Sequence, residues 1–351
     1  LTGVYGLTAL IVFVSHTILV AFRRAKAGAP AWRAVVAAAV ALAAVLGYGA
    51  WRLHTLATGT ATLRVALVQP NQTLAEKLSN DPQVRYGMLQ RALTASHTLA
   101  PRSVGAVVWP EGAFPFYLPD FDGPPAAPPP SGQIDLRQRG GAEIQRLVDK
   151  LEAPLILGSL RRQDGRTRNA VARVAPGAAP TEIYDKQVLV PFGEYLPLSD
   201  TFPWLKNRIQ GVSDLAAGDR HMAFAMDLGA DGRAPVRALV SVCYEALLPA
   251  FIREGFAAVG AEVPLLLNVT SDLWFGKNRE PALHLMGQVH RTVEHRVSLV
   301  RATTTGISAF VDFRGHILAE SPLYEEALIV GDVPYRTGTF SFYRTCGDVF
   351  L

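Results

Sequence analysis

The sequence predicts an α/β domain carried on two membrane-crossing helices. Three observations lead there. Two long stretches near the start are apolar and free of acidic and basic side chains. From Thr62 onward, short apolar runs alternate with helical periodicity. Three polar residues of reactive type close or follow three of those runs. Composition agrees. Of 351 residues, 49% are hydrophobic and only 18% charged, below the usual quarter, which excludes disorder and leans towards a partly membrane-embedded chain. The net charge of +4 is too balanced for a protein that coats nucleic acid. Two cysteines exclude a disulfide framework and a four-cysteine zinc site. A start at Leu1 and an apolar end at Val349-Phe350-Leu351 predict a piece of a longer protein.

Residues 4–22 (VYGLTALIVFVSHTILVAF) come first, nineteen residues long. At about 1.5 Å per residue they nearly cover a hydrocarbon core of roughly 30 Å. Residues 34–51 are the second candidate, flanked by Trp32 and Trp51 as interface anchors. Between them lie Arg23, Arg24, Lys26 and Arg33. Basic loops stay in the cytoplasm, so the second helix is expected to run outward and everything after Arg52 to lie outside. A signal peptide is a poorer reading, because the polar n-region and small-residue cleavage site are missing. Residues 1–54 are therefore expected to form the membrane unit.

The α/β pattern follows from residue 62 to residue 337. Leu63–Gln69 reads as a strand, residues 82–99 as a helix, and Gly105–Pro110 as a strand. The Pro-rich run Phe121–Gly132 has to be a loop. Ala142–Leu151 is an amphipathic helix. Pro154–Ser159 and Asn169–Val174 are strands around a turn at Asp164-Gly165. Ala238–Cys243 and Pro264–Val269 are two further strands. A helix is expected over Pro281–Arg296, then a hairpin pairing Ser308–Asp312 with Gly315–Leu318. No glycine-rich phosphate loop is present.

Glu111 follows Val107-Val108-Trp109-Pro110, Lys186 sits in Tyr184-Asp185-Lys186-Gln187, and Cys243 closes Leu239–Val242. Ligands of α/β sheets bind at the carboxyl ends of strands. A thiol placed there beside a carboxylate and an ammonium can be an activated nucleophile, with the carboxylate as base and the ammonium holding the oxyanion. Taken singly, each has a plainer reading: a buried thiol, a helix-start carboxylate, a surface lysine.

Together, Trp109-Pro110-Glu111, Tyr184-Asp185-Lys186 and Cys243-Tyr244-Glu245 resemble the nitrilase (carbon–nitrogen hydrolase) superfamily. The run Lys186-Gln187-Val188-Leu189-Val190-Pro191-Phe192-Gly193-Glu194-Tyr195-Leu196-Pro197 narrows the resemblance to the apolipoprotein N-acyltransferase family, as does Ser271-Asp272-Leu273-Trp274-Phe275-Gly276. The resemblance implies a nitrilase-like α-β-β-α sandwich preceded by two transmembrane helices, with residues 62–337 as a periplasmic catalytic domain. Residues 338–351 would return towards a final membrane helix in the bacterial inner membrane. It implies a Glu111–Lys186–Cys243 triad without cofactor or metal. The implied partners are membrane lipid, a phospholipid acyl donor (typically phosphatidylethanolamine), and the diacylglyceryl-cysteine of an apolipoprotein as acceptor. No nucleic acid is implied, and the chain would be a monomer.

Glu194, Tyr244 and Glu245 match family positions around the site, with Glu245 expected to orient Lys186 through a salt bridge. Trp274 and Phe275 are expected on a loop that lines the acyl entrance or anchors in the membrane. The chain departs from the family at Leu78, where a Trp is common, and at Thr304, where Asn is usual. Two other readings stay open: a membrane-tethered amidase whose thioester is resolved by water, and a non-enzymatic lipoprotein-binding subunit.

Overall fold

The two charge-free stretches form helices α1 (Gly3–Lys26) and α2 (Trp32–Thr55). The computed structural model describes residues 3–56, 61–118, 135–177, 182–199, 201–202, 204–209, 212–229, 233–338 and 341–348. Each helix has 24 residues and is long and apolar enough to cross a membrane. Their side chains face outward all round: Ile11, Phe22, Val40 and Leu46 are exposed, and only Thr17 and Ala38 are buried. An all-round apolar helix that finds no protein core needs lipid. Arg23, Arg24 and Lys26 occupy the last turn of α1.

Beyond α2 the chain builds two six-stranded sheets. The first contains β1 (Ala61–Gln69), β2 (Ala106–Val108), β3 (Leu155–Gln163), β4 (Arg166–Val174) and β5 (Glu182–Asp185). The second contains β6 (Ala223–Ala225), β7 (Arg237–Val242), β8 (Leu265–Thr270), β9 (Ser298–Thr303), β10 (Ala309–Val311) and β11 (Ile317–Glu320). The last strand, β12 (Ala327–Tyr335), returns to the first sheet, whose order is β12-β1-β2-β3-β4-β5. The second sheet runs β11-β10-β9-β8-β7-β6.

The helices are α3 (Leu74–Leu78), α4 (Pro82–His97), α5 (Leu136–Leu151), α6 (Leu205–Arg208), α7 (Pro249–Val259), α8 (Glu280–His295) and α9 (Phe342–Cys346).

Side chains alternate across a strand, and this alternation sorts the core into layers. Leu63, Val65 and Leu67 of β1 point at the second sheet and meet Val240, Val242, Leu265 and Leu267 there. Ala66 and Val68 point the other way, towards Leu89 and Leu93 of α4 and Leu147 of α5. On the far side, Leu239, Leu266 and Leu299 pack under Ile252 and Phe256 of α7 and Leu285 of α8. The architecture is therefore an α-β-β-α sandwich.

The strands β5, β6, β9 and β12 and the helix α7 escape the sequence pattern. β12 contains Pro334, which argues against a strand; it is tolerated because β12 lies at the sheet edge. β2 stops at Val108 although the apolar run continues to Pro110, which has no N–H to extend the ladder. Helix α5 starts six residues before the expected Ala142, capped by Asp135. The Pro-rich run 121–132 lies outside the described residues.

The apolar helices touch the sandwich at α8 and at the turn between β10 and β11. The Val4 N–H donates to Glu294 Oε1 at 2.8 Å, and the Arg314 guanidinium donates to the Leu56 carbonyl. A cavity of about 900 Å³ opens between α1, α2 and α8, lined by Leu7, Leu10, Phe13, Val45, Tyr48 and Val293.

Candidate active site

Strand direction brings the reactive groups together. β1, β2 and β3 run parallel, β4 turns back, and β5 returns in the direction of β2. In the second sheet β7, β8 and β9 run parallel. Glu111 lies just beyond β2, Lys186 directly follows β5, and Cys243 directly follows β7. All three thus stand beyond carboxyl ends of strands, where the ladder no longer claims the backbone.

Glu111 is fixed from both sides. The buried Trp109 anchors the end of β2, its indole N–H donating to Ser96 Oγ of α4 at 2.9 Å. On the other side β3 passes so close that a Cβ on Gly158 would lie 2.5 Å from Glu111 Cα and 2.7 Å from Pro110 O. Only glycine fits there. Gly158→Ala is expected to push Glu111 off its place, costing about 1–3 kcal/mol in stability. An ångström of displacement at a reacting group costs on the order of 100-fold in rate. A thermal melt checks the stability loss: a lower Tm is expected, and an unchanged Tm would mean that β3 yields without displacing Glu111.

The Glu111 carboxylate accepts from Asn169 Nδ2 at 2.6 Å. The same Nδ2 donates to Glu194 Oε1 at 3.1 Å, and Glu194 Oε2 lies 2.7 Å from Lys186 Nζ. Asn169 therefore bridges the two carboxylates. Lys186 is 1% exposed. Burial alone would lower its pKa, but the negative charges of Glu111 and Glu194 outweigh it and hold the ammonium protonated, above its ordinary value. The ammonium lies 5.7 Å from the centre of the Tyr244 ring.

Cys243 has a left-handed backbone, φ +53°, at the start of a 3-10 turn (Cys243–Leu247). That conformation costs a non-glycine residue about 1–3 kcal/mol and is kept only where neighbours over-determine it. The neighbours are Glu245 and Asn268. Glu245 is fully buried and accepts from Val242 N (2.7 Å), Gln187 N (2.7 Å), Val188 N (3.0 Å) and Tyr184 OH (2.9 Å). It ties the chain before Cys243 to the chain after Lys186. Burial pushes its carboxyl up to about 6, against the pull of the three amides. The expected Glu245–Lys186 salt bridge is not there; Glu194 is the carboxylate that pairs with Lys186. A carboxylate already carrying four donors has little lone-pair capacity left for an ammonium.

Asn268 holds the other side. Its Nδ2 donates to the Cys243 carbonyl at 3.1 Å, while its Oδ1 accepts from Gln288 Nε2 (2.9 Å) and Arg301 Nη1 (3.2 Å). The Cys243 thiol is pushed up to about 12, first by burial and then by Glu111, against the opposing pull of Lys186. The resting thiol is neutral, so a nucleophilic role needs a base at the moment of attack.

The profile of the family described as Carbon-nitrogen hydrolase matches residues 64–339. The chain belongs to the carbon-nitrogen hydrolase family.

An apolipoprotein N-acyltransferase of Geobacter metallireducens is 33% identical over 100% of this chain and 63% of its own length. One of Bdellovibrio bacteriovorus is 34% identical over 82% of this chain and 51% of its own length. This carbon-nitrogen hydrolase chain thus spans between half and two thirds of those two relatives. Among solved structures, a CN-hydrolase superfamily protein of Xanthomonas campestris with an arsenic adduct in its active site shares the fold. Its TM-score is 0.54 at 19% identity, over 78% of this chain and 91% of that one. An amidase of Nesterenkonia sp. AN1, with acrylamide added at its active-site cysteine, gives 0.51 at 16% identity over 78% and 93%.

Around the candidate site, Trp274 and Phe275 lie exposed on a short 3-10 turn (Asp272–Phe275) that follows β8. Asp272 beneath them is fully buried, 2.7 Å from Arg301 Nη2 and 2.8 Å from His284 Nδ1. Burial would raise its pKa, but Arg301 and His284 turn the shift downward. Asp272, Glu280 and His284 bring possible metal ligands within 4.8 Å of one another. Both Asp272 oxygens are already engaged, one by a guanidinium that would repel a divalent ion, so the group fits an ion network better than a metal centre.

Sequence reasoning missed Asn169, Asn268, Asp272, His284 and Arg301. A signal for two of them existed: Asn268 interrupts Leu265-Leu266-Leu267-Asn268-Val269, and Arg301 interrupts Ser298-Leu299-Val300-Arg301-Ala302. A polar residue in the middle of a fully buried strand needs a partner.

Proposed function

We propose that this chain carries the acyl-transferring machinery of an apolipoprotein N-acyltransferase. The observation that carries the reading is one thiol, one carboxylate and one buried ammonium gathered at strand ends, beside two helices apolar enough to cross a membrane. The 33% identity to a curated relative of that name supports it.

In the proposed reaction Glu111 takes the Cys243 proton as sulfur attacks the sn-1 ester carbonyl of a phospholipid. Lys186 stabilises the tetrahedral oxyanion, with Glu194 holding the ammonium in place. Collapse breaks the ester C–O bond. The leaving glycerol oxygen takes the proton from Glu111, and a lysophospholipid departs from a Cys243 thioester. The α-amine of a diacylglyceryl-cysteine then attacks the thioester, giving its proton to Glu111, which returns it to sulfur. The product is a triacylated lipoprotein. Phosphatidylethanolamine is the proposed donor. By the charges of Arg23, Arg24, Lys26 and Arg33, the connection between α1 and α2 faces the cytoplasm and the sandwich faces the periplasm, over the lipid that supplies it. Tyr244 and Glu245 support the geometry rather than the chemistry.

The test is acyl trapping on the full-length protein in detergent–phospholipid micelles. Phosphatidylethanolamine labelled in its sn-1 chain is added and the reaction is quenched with acid. Label removable by neutral hydroxylamine is expected in the wild type and absent from Cys243→Ala. If neither protein takes label while both stay folded, the phospholipid donor is wrong and a tethered amidase becomes the better reading.

A further inference from the structure

Lys77 is the ammonium nearest the mouth of the site that the mechanism does not use. It projects from α3, and its Nζ donates to Ser271 Oγ at 3.2 Å and stands 5.4 Å from the centre of the Trp274 ring. A Cβ on Gly112 would lie 3.6 Å from that Nζ. The ammonium is thus beside Gly112, the residue after Glu111, and Ser271, the residue that follows β8. No carboxylate pairs with it among the described residues; its neighbour Glu76 is taken by Arg91 at 2.7 Å. An ammonium has three N–H donors, and Ser271 uses one. Trp274 is 58% exposed, so the ring and the cation share an open rim. Lys277, three residues on, lies 5.4 Å from the half-buried Tyr324 ring, again in no ion pair among the described residues. Exposed aromatics with unpaired cations between them are the residue set that meets lipid headgroups at a membrane surface.

We infer that Lys77 and Trp274 form the position that takes the phosphodiester of a glycerophospholipid while its sn-1 ester lies at Cys243. The inference rests on the phospholipid-donor reading and assigns residues to it. Only three glycerol carbons separate the phosphate from the sn-1 ester, so one lipid can reach the thiol and the ammonium together. The diacylglyceryl acceptor has a thioether where the phospholipid has its phosphate. Lys77 therefore serves the first half-reaction and not the second, which gives one site a means of telling donor from acceptor.

The experiment measures single-turnover acylation of the full-length protein against the mole fraction of phosphatidylethanolamine, for wild type, Lys77→Met and Lys77→Arg. Lys77→Met is expected to raise the half-saturating fraction about tenfold, the size of one lost charge-assisted hydrogen bond. Its limiting rate should stay within about threefold of wild type, and Lys77→Arg should recover most of the affinity. A 4-nitrophenyl ester, which acylates the thiol without a phosphate, controls for folding. Aminolysis of the preformed thioester is expected to be unaffected by the substitution. An unchanged half-saturating fraction in Lys77→Met overturns the inference, and so does an equal loss with the nitrophenyl ester. Saturating inhibition of the nitrophenyl reaction by inorganic phosphate, abolished in Lys77→Met, would make this a free-anion site and overturn the lipid assignment. A wild type acylated by the nitrophenyl ester but not by phospholipid would instead remove the donor reading itself.

Discussion

Glu111→Gln is expected to slow acyl-enzyme formation at pH 7 by about 10³-fold, within the range of a lost general base. The fold should survive, because Gln keeps an oxygen that can accept from Asn169, which donates to Glu111 at 2.6 Å. The direction follows from the thiol. With Cys243 pushed up to about 12, thiolate at pH 7 is on the order of one molecule in 10⁵. The wild type avoids that penalty because the carboxylate takes the proton during attack. The variant has to wait for thiolate. Its rate should therefore rise about tenfold per pH unit between pH 7 and pH 10, a far steeper slope than wild type. The sign is fixed by the direction of the shift: a raised thiol pKa leaves the neutral form dominant until the pH approaches it. Removing the Glu111 charge also removes the second cause of the raised value, so the variant's thiol should titrate somewhat lower than the wild type's. Acylation rates against pH for both proteins check this. A loss under tenfold with parallel profiles would mean that another group removes the proton.

Glu111 and Cys243 were legible as candidates because each comes directly after an apolar run, and a strand that ends in a polar residue advertises a site. Lys186 follows the mixed run Glu182-Ile183-Tyr184-Asp185 and stood out only through the motif it belongs to. The layers were legible because the mostly apolar runs in β1, β7 and β8 can only be buried between sheets and helices. What holds the reactive groups was not legible. Asn169 sits in the polar-looking run Arg166-Thr167-Arg168-Asn169, where nothing local marks it as the bridge between Glu111 and Glu194. Glu245 lies two residues from Cys243, so a pairing with the nearby lysine was the natural guess. Three of its four donors come from residues 184–188, far away in sequence, and only the folded chain brings them to it. Positive φ at Cys243 is likewise invisible in sequence, since the residue type disfavours it. The strain is imposed by contacts from Asn268 and Glu245, not by the residue itself.

Arg301→Met is expected to lower Tm by about 10 °C and to depress acylation beyond what the stability loss explains. Arg301 is fully buried and bonds Asp272 Oδ2 (2.7 Å), Asn268 Oδ1 (3.2 Å) and the Ile307 carbonyl (3.1 Å). Removing it strands the Asp272 carboxylate with only His284, whose own pKa is lowered by burial and cannot readily supply a compensating charge. An uncompensated buried charge costs about 3–5 kcal/mol, and about 2–4 °C of Tm follows each kcal/mol in a domain of this size. The second effect runs through Asn268. Without Arg301 its amide keeps only Gln288 on the oxygen side, so the hydrogen bond that holds the Cys243 carbonyl loosens. The two effects separate in the double variant Arg301→Met with Asp272→Leu. Replacing both members of a buried ion pair by apolar groups of similar bulk is often neutral for stability. Tm should therefore recover in large part, while acylation should not, because Asn268 still lacks its partner. If Tm and acylation recover together, the network serves the core alone and Cys243 keeps its left-handed backbone without it.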